Sequence, residues 1–173
     1  MSPRTPYRIC VVCSGNICRS PIGEVVLTEQ LKRAGLADRV VVDSAGTGAW
    51  HVGDRADRRA VAALRAAGYD GSAHRAREYD VAWLADHDLV LAADRGHLRT
   101  LTRWAAQEGY QVGPDGDVDI RLLREFDPAA VAAGELEVDD PYYGSQRDFD
   151  RVLAEVESAA AGLVDWLSDH LDS

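Results

Sequence analysis

The apolar run Tyr7-Arg8-Ile9-Cys10-Val11-Val12 leads directly into Cys13-Ser14-Gly15-Asn16-Ile17-Cys18-Arg19-Ser20-Pro21, and beyond Pro21 the apolar residues recur at helical spacing. A buried strand that turns at once into a helix is the opening half of a βαβ unit, which restricts the chain to α/β architectures. The same layout sets a thiol and a guanidinium six residues apart on a tight turn at a helix N-terminus. Backbone N–H groups and the positive end of the helix dipole converge there, an arrangement suited to a phosphate. That field also stabilises a thiolate, making Cys13 a candidate nucleophile. Gly15 and Asn16 are expected to supply positive φ, with Ser20 as N-cap and Pro21 as the first helical residue. An ordinary turn holding a buried structural thiol would share the Cys-to-Arg spacing but would not require this strand, turn and cap context.

The rest of the chain repeats the alternation. Val40–Asp43 and Leu89–Ala93 read as further buried strands, and Val118–Leu123 as a fourth after the Pro114/Gly116 turn. Helices are expected from Pro21 to Ala34, over Arg58–Ala67, and from Arg95 to just before Gly109; Gly35, Gly68 and Gly109 supply the stops. Phe149, Val152, Leu153, Val156, Ala160, Leu163, Leu167 and Leu171 mark a long amphipathic helix that closes the chain. Such alternation implies a parallel sheet covered on both faces, with any ligand outside the carboxyl ends of its strands. With no repeat or linker in view, residues 1–173 are expected to form one domain.

Composition removes several classes. A net charge of −10 argues against nucleic-acid binding. An anionic substrate must therefore be captured by local dipoles and arginines. No apolar stretch approaches the ~20 residues of a membrane span and no signal peptide is evident, so a cytoplasmic chain is expected. Three cysteines within nine residues do not make a disulfide framework. Cys10 and Cys13 form one Cys-x2-Cys pair with no second pair, and His51, His87, His97 and His170 lack ligand spacing, so no metal or other cofactor is expected. Asp115, Asp117 and Asp119 imitate a calcium loop, but Ile120 stands at the glycine position and Phe126 at that of the bidentate Glu. Asp94 either caps the third helix or borders the pocket.

A second constellation, Asp139-Asp140-Pro141-Tyr142-Tyr143-Gly144, precedes the last helix. Release of a phenolate, whose conjugate acid has a pKa of ~10, benefits from a proton donor at the leaving oxygen. Pro141 biases Asp140 toward an extended conformation, and Asp139 beside it is expected to favour the protonated acid near pH 6. Tyr142 and Tyr143 would wall a slot for an aromatic ring. A solvated acidic turn with two surface tyrosines would read the same way in isolation.

Together the two segments resemble the low-molecular-weight protein tyrosine phosphatase family over essentially the whole chain. Asp43-Ser44-Ala45-Gly46-Thr47-Gly48 and Trp50-His51-Val52-Gly53 resemble its actinobacterial branch. The resemblance implies a three-layer domain with four parallel strands in the order 2-1-3-4 and the phosphate loop after the first. It implies Cys13 as nucleophile, Arg19 as binder of phosphate and transition state, and Asp140 as general acid and then base. Ser14, Gly15, Asn16, Ile17, Cys18 and Ser20 would cradle the phosphate, with Ser20 bonding the thiolate. Ile17, Trp50, Tyr142 and Tyr143 would line the slot, and Asn16, Ser44 and His74 would support the loop. Cys18 matches a neighbour that pairs reversibly with the nucleophile on oxidation. Expected partners are phosphotyrosine proteins and a tyrosine kinase acting on Tyr142 or Tyr143; a monomer is expected. Gly23 departs from the family's usual alanine, at a cost of about 1 kcal/mol to the helix.

Two other functions fit parts of the pattern. An arsenate reductase uses the same Cys-x5-Arg loop; its relay-type members need later cysteines and none follows Cys18. Thiol-cofactor-dependent members do without them, and Asp140-Pro141-Tyr142-Tyr143 favours the phosphatase. A binding module without catalysis would have lost Cys13, Arg19 or Asp140, and all three are present.

Overall fold

The computed structural model describes residues 6–172. Strands β1 (Tyr7–Cys13), β2 (Val40–Gly46), β3 (Leu89–Ala92) and β4 (Asp119–Leu122) form one parallel sheet in the order β2-β1-β3-β4. The order reverses at β1, so the loop leaving Cys13 emerges at the topological switch point. Cys13 is paired with Gly46, and Val12 lies between Ala45 and Ala92.

The strand period of two sorts β1 between two cores. Ile9, Val11 and Cys13 enter one core with apolar residues of α1 (Arg19–Arg33), α2 (Arg58–Ala66) and α5 (Gln146–Asp172). Cys10 and Val12 enter the other, with Leu101 and Ala105 of α3 (Arg95–Gln107) and Leu84 of the 3-10 helix Val81–Ala85. Helices thus cover both faces, which is why β1 and β3 read as almost unbroken apolar runs. Gly23 is a close approach rather than a defect: a Cβ there would sit 2.9 Å from Val11 Cγ1, so glycine lets α1 lie against β1.

Several boundaries differ from expectation. Helix α1 begins at Arg19, with Cys18 at the N-cap and no side-chain cap. Ser20 is inside the helix because its hydroxyl is turned toward Cys13. Strand β2 runs three residues past Asp43, because β1 continues beside it to Cys13. Helices α4 (Pro128–Ala133) and the 3-10 segment Leu123–Phe126 are too short to show a period, although the Asp127 cap and Gly134 stop of α4 are standard signals. Among the described residues, no helix is long and apolar enough to cross a membrane.

Candidate active site

Cys13 closes β1 and is almost fully buried. Its Sγ lies 2.9 Å from Ser20 Oγ. Asn16 sets the shape of the loop: its φ is +59°, and its side chain is enclosed completely. Asn16 Nδ2 donates to Ser20 Oγ (2.7 Å) and Ser44 Oγ (3.0 Å), while Oδ1 accepts from the Arg77 amide (3.0 Å). Since Ser20 Oγ accepts from Asn16, its own proton is left to point at Cys13 Sγ. Ser44 Oγ donates to Glu24 Oε1 at 2.7 Å, and His74 Nε2 donates to the Asn16 carbonyl at 2.7 Å. Gly15 lacks the positive φ expected of it. What it needs is room, because a Cβ would lie 2.8 Å from the His51 ring.

Arg19, in the first turn of α1, is 4% exposed. Its Nη1 donates to Asp94 Oδ2 and to the Val138 carbonyl, both at 2.8 Å, which aims the guanidinium across the loop. Of the two readings the sequence left open, Asp94 takes the cap, its Oδ1 accepting from the His97 amide (3.1 Å) at the start of α3. It does not line the cleft but acts on it through Oδ2, which holds Arg19. Burial raises the Asp94 carboxyl, but the Arg19 hydrogen bond and the neighbouring His97 outweigh it and hold it below the usual carboxylate range. His97 is buried, and burial pulls its pKa down to about 4. The neutral ring meets Ser14 Oγ at 2.8 Å through Nε2. Its Nδ1 lies 3.1 Å from Asp94 Oδ1 without hydrogen-bond alignment.

Above this floor sits a cleft of about 180 Å³ lined by Cys13, Ser14, Gly15, Ile17, Cys18, Arg19, Trp50, His51, Asp140, Tyr142 and Tyr143. That volume is below the ~300–1,000 Å³ of sites for drug-sized ligands, and suits one side chain. The Asp140 carboxylate is half-exposed at the mouth, with Oδ2 3.9 Å from Arg19 Nη2 and Oδ1 accepting from the Tyr142 amide at 3.1 Å. Asp139 turns away and lines a separate groove with Arg95, Arg124 and Arg151. The rings of Tyr142 and Tyr143 meet edge to face at 4.9 Å, and Tyr142 faces His51 at 6.2 Å. Arg59 ties this segment down, donating to the carbonyls of Tyr142 (2.8 Å) and Gly144 (2.9 Å). Cys18 lies beside Cys13 in the cleft lining, and burial pushes its thiol up.

The expected residues therefore converge, in two tiers. Asn16, Ser20, Ser44 and His74 stand behind the loop, and the others face the cleft. Glu24, Arg59 and Arg77 escaped the sequence reading, which gave His51 and His97 no role at the site. Nothing local marks Glu24, Arg59 or Arg77, whereas the position of His51 beside Trp50 was a usable signal.

A 2-1-3-4 parallel sheet whose first loop holds a cysteine and a clamped arginine at the switch point defines an anion-cradling α/β class. Similarity to known proteins narrows it. A family model described as low molecular weight phosphotyrosine protein phosphatase matches residues 8–172. The chain is 48% identical over 158 residues to a low molecular weight protein-tyrosine-phosphatase of Streptomyces coelicolor, covering 91% of this chain and 92% of the relative. It is 46% identical over 166 residues to low molecular weight protein-tyrosine phosphatase A of Mycobacterium tuberculosis, covering 96% and 94%. The crystal structure of a protein tyrosine phosphatase from Entamoeba histolytica superposes with a TM-score of 0.84 at 28% identity, over 94% of this chain and 97% of that one. The chain belongs to the low molecular weight phosphotyrosine protein phosphatase family.

Proposed function

We propose that this protein hydrolyses phosphotyrosine in proteins through a cysteinyl-phosphate on Cys13. The observation that carries the reading is the convergence on one small cleft of a thiol facing Ser20, a guanidinium clamped by Asp94 and Val138, and a carboxylate at the mouth. In the first step Cys13 Sγ attacks phosphorus, the P–O(aryl) bond breaks, and Asp140 gives its proton to the departing phenolate oxygen. In the second, water attacks phosphorus, Asp140 takes a proton from it, and the S–P bond breaks to release phosphate and the thiolate. Arg19 and the loop amides stabilise the equatorial oxygens in both steps. Ser20 donates to the thiolate when it leaves, with Asn16, Ser44 and His74 keeping that hydroxyl oriented. Ile17, Trp50, Tyr142 and Tyr143 embrace the ring; the shorter phosphoserine would not reach the floor.

Residues 1–173 act as one cytoplasmic, monomeric phosphatase domain on this reading. Cys18 protects Cys13: peroxide converts the Cys13 thiolate to a sulfenic acid, the Cys18 thiol attacks it, and water leaves as the disulfide forms. Cys18→Ala should then regain less activity than wild type when dithiothreitol follows peroxide. Tyr143, 95% exposed, is the side chain a tyrosine kinase would reach. Its phosphate would place about −2 charges beside the cleft and repel the substrate.

The test is phosphate release from a phosphotyrosine peptide at pH 6 in EDTA, wild type beside Cys13→Ser. Wild-type turnover that falls by roughly 10⁴-fold or more in the variant supports the thiolate mechanism. Equal inactivity of both proteins sinks it, and activity that survives in Cys13→Ser assigns the nucleophile elsewhere.

A further inference from the structure

Three residues before Cys13, on the opposite face of β1, lies a cluster that no step of the hydrolysis uses. Cys10 and Asp43 are register partners on the adjacent strands β1 and β2, and His87 stands in the turn before β3. Cys10 and His87 are buried, while the Asp43 carboxylate is partly open to solvent. Cys10 Sγ, a carboxylate oxygen of Asp43 and a ring nitrogen of His87 all lie within 4.8 Å of one another. Sequence spacing argued against a metal because Cys10 and Cys13 form a lone Cys-x2-Cys pair and His87 has no ligand-type spacing. The parallel sheet brings them together.

The surroundings resemble those of a ligand set. Tyr79 Oη lies 3.0 Å from His87 Nδ1, which leaves Nε2 directed at Asp43 Oδ1 at 3.1 Å. Arg77 Nη2 holds the other oxygen, Oδ2, at 3.0 Å. Arg77 is itself fixed over the Trp83 ring and bonded through Nε to the Ser44 carbonyl. An imidazole oriented through its second nitrogen, and a carboxylate with one oxygen already engaged, are the outer-shell arrangements that position metal ligands. The Cys10 thiol makes a long contact of 3.9 Å to the Val11 carbonyl and hydrogen-bonds the Asp43 carboxylate, so the proton that metal binding would displace already points at a second ligand.

We propose that Cys10, Asp43 and His87 form a binding site for a zinc-type divalent transition-metal ion, separate from the phosphate loop. One thiolate, one imidazole and one carboxylate are the donors such an ion takes in sites that keep a fourth position for water. On binding, the Cys10 thiol releases its proton to solvent, the ion sheds waters, and bonds form from Sγ, Nε2 and Oδ1. His87 Nε2, which donates to the Asp43 carboxylate in the metal-free chain, gives up its proton as the neutral ring takes the tautomer protonated on Nδ1, with Tyr79 Oη accepting from it, and Arg77 keeps Oδ2. The three donor atoms close up to about 3.5 Å from one another, the separation that bonds of about 2.0–2.3 Å impose in a tetrahedron.

The experiment uses Cys13→Ser/Cys18→Ser protein, in which Cys10 is the last of the three thiols. Titration with Co²⁺ should load one ion per chain, with a thiolate-to-cobalt charge-transfer band in the near ultraviolet that Zn²⁺ abolishes by displacement. Adding Cys10→Val, which nearly preserves volume, should remove the band. His87→Gln should weaken binding at least about tenfold, and Tyr79→Phe about tenfold through the lost orienting bond. Near-ultraviolet circular dichroism checks that each variant is folded. Absence of the band in the double-serine protein overturns the proposal, as does a band that persists in Cys10→Val. Should Cys10→Val fail to fold, His87→Gln decides, and unchanged affinity there overturns the site.

Discussion

Two loops meet at the cleft, and they are built in opposite ways. In the loop 13–19 and the helix turn that follows, Asn16 and Ser20 are fully enclosed, Arg19 is 4% exposed, and their bonds reach Ser44, Arg77, Asp94 and Val138. In the segment 139–144, the Asp140 and Tyr142 side chains are partly exposed and Tyr143 almost wholly so, held mainly by Arg59 and by the turn's own Asp140-to-Tyr142 bond. The difference follows from what each must do. Donors that stabilise developing charge are effective only if they need not reorganise during reaction, so the first loop is fixed from behind. On the proposed mechanism Asp140 and the tyrosine rings have to admit a bulky protein substrate, so the second stands open.

The contrast is tested most severely by Asp140→Asn. Loss of a general acid should lower kcat on phosphotyrosine roughly 10²–10⁴-fold, and much less on an aryl ester whose leaving group needs no proton. Stability should stay within about 0.5 kcal/mol of wild type, because the carboxylate is half-exposed. A large drop in the denaturation midpoint would show that the open segment is structural after all.

The opposite signature is expected of Asn16→Ala. It strands the part-buried Arg77 amide and strips Ser20 and Ser44 of a donor, the two hydroxyls lying away from water. Each buried group left unsatisfied costs about 1–3 kcal/mol, so a loss of roughly 3 kcal/mol is expected in urea unfolding, with activity falling as Ser20 loses its orientation. A loss below about 1 kcal/mol would break the claim that the loop is fixed from behind.

How far the sequence revealed this division depends on whether the interactions are local in the chain. The parallel sheet, the switch-point loop and the candidate trio Cys13, Arg19 and Asp140 were legible, since each rests on a contiguous motif or on strand and helix periods, whereas the strand order 2-1-3-4 came only with the family resemblance. The Ser20 cap was misread because a hydroxyl that suits an N-cap equally suits a thiolate, and only the fold shows that Cys13 Sγ is 2.9 Å away. Gly15 was assigned a dihedral role when its need is clearance from His51. Arg59, Arg77 and Glu24 act across tens of residues, where periodicity and spacing say nothing. The same limit hid the meeting of Cys10, Asp43 and His87.

His97 links the fixed loop to α3, and its effect should appear as pH dependence. The folded chain protonates it only near pH 4, whereas an unfolded histidine titrates near 6.5. Between those values the unfolded state holds more protons, so stability rises with pH across the window and is lost as pH falls from 6.5 toward 4. The conversion gives at most about 3 kcal/mol, with little screening because the ring is buried. His97→Gln should flatten that part of the stability curve, read from urea midpoints at pH 7 and 4.5. An unchanged slope would mean the ring is not held neutral against Ser14.

The smallest effect belongs to the most exposed group. Tyr143→Ala removes a ring that stands 95% in solvent and touches Tyr142 edge to face at 4.9 Å. Its cost to folding should be negligible. If the ring stacks on the substrate, about 0.5–1.5 kcal/mol of aromatic contact is lost, or roughly two- to tenfold in KM. That contact is made equally in ground and transition states, so kcat should not move. Tyr142→Ala should cost more, because Tyr142 also closes the wall toward His51. A fall in kcat for Tyr143→Ala would place the ring in the chemistry of Asp140 rather than in substrate capture, and the open loop would then share the work of the fixed one.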